Sequence, residues 1–144
     1  MRSFHENMLA DLVLIPGTIA SSTVPATYIS MEDYERVVFL IFVGDMPTSA
    51  TLDAQVVQAS DSAGTGSKVI TGAVITQLVD TDDNKMVSIE VRDTALDVEN
   101  GFSHVSLTLA EINDPIGMVL AFSYKGGGLP PTQPVAYEEQ VEVS

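Results

Sequence analysis

The clearest period in the chain is two. In MVSIEVRD (86–93), Val87, Ile89 and Val91 fall on one side and Ser88, Glu90 and Arg92 on the other, the alternation that a half-buried strand requires. HVSLTLAE (104–111) repeats it, with Val105, Leu107 and Leu109 inward and His104, Ser106 and Thr108 outward. RVVFLIFVG (36–44) is apolar at every position from Val37 to Val43, which predicts a central strand with both faces covered in a two-layer protein. GMVLAFSY (117–124) is a weaker version. LDAQVVQAS, KVITGAVITQL and DLVLIPGTIA bring the candidates to about seven strands, separated by the turn-forming stretches GDMP, SDSAGTG, DTDDN and EINDPIG. Short strands at that spacing predict an all-β fold, a single β-sandwich or jelly-roll domain. Its core should hold Val37, Phe39, Ile41, Val87, Ile89, Val91, Val105, Leu107 and Leu109. MEDYERV (31–37) and LTLAEIN (107–113) offer at most a helical turn each, because neither sustains an apolar stripe.

The two ends differ from the middle. In YKGGGLPPTQPVAYEEQVEVS three glycines and the prolines at 130, 131 and 134 precede an acidic tail, a composition that predicts a flexible joint and an extended path. The reading is therefore an N-terminal arm or first strand over 1–25, the sandwich over 26–128, and a C-terminal arm over 129–144. Val135, Tyr137, Val141 and Val143 would let that arm add an edge strand to a neighbouring subunit. Its removal should then spare folding.

Composition narrows the function classes. A chain of 144 residues buries roughly two-thirds of its unfolded surface and needs no staple. It has no cysteine, so no disulfide framework and no thiolate chemistry is expected. Six Lys plus Arg against twenty Asp plus Glu give a formal charge of −14, which repels phosphate backbones and anionic membranes. No nucleic-acid or membrane partner is expected. The first residues, MRSFHENMLADLVLIPG, carry Glu6 and Asp11 in the apolar stretch and lack the core of a signal peptide. The protein should be soluble where it is made.

Candidate chemistry is sparse. A general base is needed to activate a Ser or Thr, and only His5 and His104 are available. The first falls near the terminus and the second on an outward strand face. GTGSK (64–68) lacks the spacing and the following helix of a phosphate loop. Asp80, Asp82, Asp83 and Asn84 form an oxygen-rich cluster, but calcium-loop spacing and its terminal Glu are missing. They read as a turn. No catalytic, metal or cofactor site is expected.

The order RVVFLIFVGDMPTSATLDAQVVQASDSAGTGSKVITGAVITQL, followed by MVSIEVRD, FSHVSLTL and a strand ending in YKGGG, resembles small β-sandwich structural proteins of tailed bacteriophage virions. In those proteins a strand ending in Val-Gly precedes one closed by a Gln-x-Ser-Asp turn, matched here by VVQASDSAG (56–64). The similarity covers roughly 34–128, and this chain departs from the pattern in lacking an aromatic after the Ser-Asp turn and in its long ends. It implies a capsid decoration (cement) protein, made in the host cytoplasm and placed on the virion surface. The implied partners are the major capsid protein and other copies of itself, as a homotrimer. The alternative is a carbohydrate-binding or host-attachment module of a head spike or tail, for which four Tyr and no Trp are a poor supply of stacking platforms.

Overall fold

In a computed structural model of the protein, residues 8–20, 27–124 and 137–143 are described, the last strand by its backbone and the side chains of Val141 and Val143. Ten strands are present among them: β1 (Met8–Thr18), β2 (Ile29–Ser30), β3 (Arg36–Val43), β4 (Thr51–Ala59), β5 (Lys68–Val74), β6 (Leu78–Val79), β7 (Met86–Arg92), β8 (His104–Ile112), β9 (Ile116–Tyr124) and β10 (Tyr137–Val143). The fold is an all-β sandwich. The first sheet has the order β1-β9-β3-β7-β10, and the second β2-β8-β4-β5 with β6 also on β4. All pairs are antiparallel except β10 on β7, which is parallel. Two 3₁₀ turns, Asp93–Ala95 and Val98–Asn100, lie between β7 and β8. MEDYERV gives a bend and then β3, and LTLAEIN runs into β8 and its turn.

The period-two positions form the core. Val37, Phe39, Ile41, Val87, Ile89, Val91, Val105 and Leu107 are fully buried, and Leu109 nearly so. Each such side chain contributes about 1.5–3 kcal/mol through burial. In β1 the departure from alternation has a visible reason. The register of β1 shifts between Leu12 and Leu14, so one extra residue lets both Val13 and Leu14 turn inward. Beyond the bulge come Pro16 and Gly17, tolerable because β1 is an edge strand.

Turns are fixed by carboxylates accepting backbone N–H. Asp61 Oδ1 accepts from Ala63 and Thr65 at 2.9 and 3.0 Å, closing the β4–β5 turn. Gly64 in that turn has φ +83, and a Cβ there would lie 2.5 Å from the Tyr28 ring. The Tyr28 hydroxyl in turn hydrogen-bonds Ser67 at 3.0 Å, so the segment before β2 is pinned on the turn.

The last strand is the main departure from the expected arm. Tyr137–Val143 pairs with β7 of its own chain, and Val141 and Val143 pack half-buried against the core. The alternation that would have docked a neighbour thus sets register within this sandwich. Tyr137 occupies the first position of the strand, while Val135 lies outside the described residues.

Candidate functional site

A sandwich buries one face of each sheet and leaves the other outward. In the first sheet that outward face is apolar across β1, β9 and most of β3, and turns polar toward β7 and β10, where Gln140 stands opposite Ser88 and Glu142 opposite Glu90. The register aligns Leu12 with Leu120, Leu120 with Leu40, and Leu40 with Ser88, one row across four strands. The next rows align Ala10 with Phe122 and Val38, and Met118 with Phe42 and Met86. Along β3 the outward residues are half-buried while every inward one is buried. The seven-residue apolar run predicts a strand covered on both faces; the second sheet covers one, and no described strand lies over the other. Ser88 is only 1% exposed although its register places it on the outward row.

At one end of this face the chemistry becomes polar. Arg36 Nη1 donates to Glu90 Oε1 at 2.6 Å, and the guanidinium lies 5.9 Å from the centre of the Tyr124 ring. Burial, followed by the nearby Glu90 charge, raises the Tyr124 phenol above its ordinary value, so at neutral pH it is a neutral hydrogen-bonding group. Arg36, Arg92 and Glu90 are the charged side chains facing outward from β1, β9, β3 and β7.

The outward face of the second sheet is built differently. Its register pairs Asp53 with Ala110, Gln55 with Thr108, Val57 with Ser106 and Ala59 with His104. Gln77 Nε2 donates to Asp53 at 2.6 Å, Thr108 Oγ1 donates to the Gln55 carbonyl at 3.2 Å, and Ser106 Oγ donates to the Thr27 carbonyl at 2.9 Å. A shallow groove of about 360 Å³ runs past Asp53, Gln55, Val74 and Thr108. It is open and half polar.

The residues singled out for chemistry do not converge. His104 is half-buried with Nδ1 2.9 Å from the Ser103 hydroxyl, and His5 lies outside the described residues. GTGSK leads directly into β5. In the acidic cluster, Asp80 accepts from the Ser49 amide, Asp82 from Val79 and Asp83 from Met46, at 2.7, 2.8 and 2.7 Å, while Asn84 takes a left-handed φ of 57°. Three carboxylates therefore serve three separate backbone sites, and among the described residues no group of three His or acidic side chains is placed to hold a metal. A second ion pair lies elsewhere: Lys68 bonds Asp97 and lies 4.2 Å from the centre of the Phe102 ring. The Lys68 contact and then Asn100 hold the Asp97 carboxyl below its usual range.

No protein-family model and no curated protein matches the chain. Among solved structures, a chain of the Bacillus endospore appendages, described as a novel family of disulfide-linked pili, aligns over 83% of this chain and 88% of its own at 16% identity, with a TM-score of 0.33. A likeness at that score bears on neither fold nor function.

Proposed function

We propose that the chain is a non-enzymatic structural protein that works by attachment to other protein subunits, as a decoration protein on the outer surface of a tailed-phage capsid. The observation that carries the attachment reading is the outward face of the first sheet, where rows of apolar side chains cross β1, β9 and β3 on an otherwise acidic molecule. Continuous apolar surface of that kind is characteristic of protein interfaces. The capsid as the site of attachment is supported by the strand order and the VVQASDSAG turn described above, and by a charge of −14, suited to the outside of a shell rather than to packaged DNA.

The test is co-sedimentation of the purified protein with capsids that lack it, beside an insoluble polysaccharide. Saturable binding to capsids, with a higher melting temperature of the decorated particle, is the expected result. Retention on polysaccharide with no retention on capsids would replace this reading by the glycan-binding one.

A further inference from the structure

We infer that the connection between β9 and β10, residues 125–136, crosses the outward face of the first sheet on a diagonal over Val38 and Ser88, dividing that face into a charged corner and an apolar triangle beside β1. The consequence for attachment, that a partner meets only the triangle, rests on the functional reading. The crossing itself does not.

The ends of the connection fix its line. Tyr124 closes β9 in the row of Arg36 and Arg92, while Tyr137 opens β10 opposite Met86, three strands across and six residues along β7 from Arg92. One third of the way, the straight line between them passes Val38 on β3; at two thirds it passes Ser88 on β7. Ser88 is 1% exposed on a face over which no described strand lies, where a serine ordinarily keeps part of its surface in water. The burial falls where the line does.

Handedness selects the outer route. β9 is antiparallel to β3, β3 to β7, and β10 is parallel to β7, so β9 and β10 run the same way. The outward residues of β9 turn their backbone groups toward β3: the Gly44 N–H donates to the Ile116 carbonyl at 2.8 Å and the Glu35 N–H to that of Tyr124 at 3.2 Å. In an L-chain viewed from the side a residue faces, with the strand running upward, those groups point right. From outside, β10 therefore lies to the right of β9, and a connection over the outer face is right-handed, as nearly all crossovers between parallel strands are. A path behind the second sheet would be left-handed and need roughly 55 Å, whereas the thirteen Cα steps from Tyr124 to Tyr137 reach about 43 Å. The outer diagonal is about 25 Å, which leaves length to arch over side chains.

Composition suits that line. KGGGLPPTQPVA holds no carboxylate in a chain with twenty, and its prolines at 130, 131 and 134 have no N–H to leave unpaired above apolar side chains. On one side of the diagonal lie Arg36, Glu90 and Arg92; on the other, Leu120, Leu40, Met118 and Phe42 continue to Leu12. Leu12 and Ile15 of β1 are 52% and 70% exposed. The chain's own connection thus bounds the attachment surface, and a shell subunit presenting apolar side chains seats on the β1 side.

The absence of native cysteine lets paired replacements report the crossing. In the full chain, Ser88→Cys with Thr132→Cys should oxidise to an intramolecular disulfide at least ten-fold faster than Leu12→Cys with Thr132→Cys, the reduced proteins melting cooperatively. Ser88→Cys alone should react with a maleimide at least 100-fold more slowly than Leu12→Cys. Equal oxidation of the two pairs overturns the inference, as does equal maleimide reactivity. On capsids lacking the protein, Leu12→Asp should weaken binding at least ten-fold and Glu90→Gln should leave it unchanged; equal weakening by both overturns the division of the face. A wild-type protein that binds no capsid overturns the functional reading alone, because the oxidation rates decide the crossing without capsids.

Discussion

The two sheets share one core yet turn different chemistries outward. In the first, β3 and β9 carry apolar residues on both faces, and Val38, Leu40 and Phe42 alternate with the buried Phe39 and Ile41. In the second, β4 and β8 carry Asp53, Gln55, His104 and Thr108 outward, where Asp53 accepts from Gln77, His104 lies against the Ser103 hydroxyl and Thr108 donates to the Gln55 carbonyl. A face of the second kind is content in water. A face of the first kind gains about 25 cal/mol for each Å² of apolar surface that a partner covers. The inner faces obey one rule, apolar burial, while the outer faces of the two sheets differ in how much apolar surface they carry.

The largest effect should come from adjacent residues on one strand. Ile41→Asp places a carboxylate in the core, where the native side chain is fully buried, and should cost about 4 kcal/mol or more, most of a typical stability. Leu40→Asp, one residue away on the outward face, should cost the monomer about 1 kcal/mol or less. Urea unfolding of the two checks this, and equal losses would mean that both faces of β3 are core. A smaller effect is expected from ending the chain before β10. That removes Val141 and Val143 from the core and leaves β7 as an edge, for about 2–3 kcal/mol and a melt lower by several degrees. An unchanged melt would return this strand to the status of a dispensable arm.

The smallest effect is acid loosening confined to the polar-faced sheet. A hydrogen bond from the Thr65 side chain, then the amides of Thr65, Ala63 and Gly64, holds the Asp61 carboxyl below its usual range, and Lys68 and Asn100 do the same for Asp97. A folded-state value below the unfolded one stabilises the fold above the unfolded value, about pH 4, and the contribution disappears as pH falls through the lower folded value. The protection factors of amides in 61–67 and 97–101 should therefore fall below pH 4 before those of β3 and β9. Uniform loosening of both sheets would break the distinction.

How much of this was legible in the sequence follows from which interactions are local. Alternation is a property of the strand itself, so all nine core positions expected from MVSIEVRD, HVSLTLAE and RVVFLIFVG are buried. The Asp80–Asn84 turn was legible only in its local part, Asp82 reaching Val79 and the left-handed Asn84; the backbone partners of Asp80 and Asp83 lie 31 and 37 residues upstream, at Ser49 and Met46, and no local pattern names them. The seven-residue apolar run of β3 announced two apolar faces correctly, but which of them the chain covers depends on β4 and β8, which pair elsewhere in the sequence. The tail was read by its glycines and prolines as separate. Its pairing partner, β7, is some fifty residues upstream, and no local pattern specifies a parallel partner at that distance. The β1 bulge was hidden too, since DLVLIPG reads equally well without the extra residue.

One consequence of the strand order concerns geography. Met8 is opposite Tyr124, Tyr124 opposite Arg36, Arg36 opposite Arg92, and Val143 opposite Val91. The first strand therefore begins, and the last strand finishes, at the same pole of the first sheet, on opposite edges about 19 Å apart at four strand spacings. Cargo fused ahead of β1 or behind β10 would leave from that pole on either side of the Arg36–Tyr124 pair, giving a two-pronged display platform. A short linker joining the two points would permute the chain without crossing either broad face.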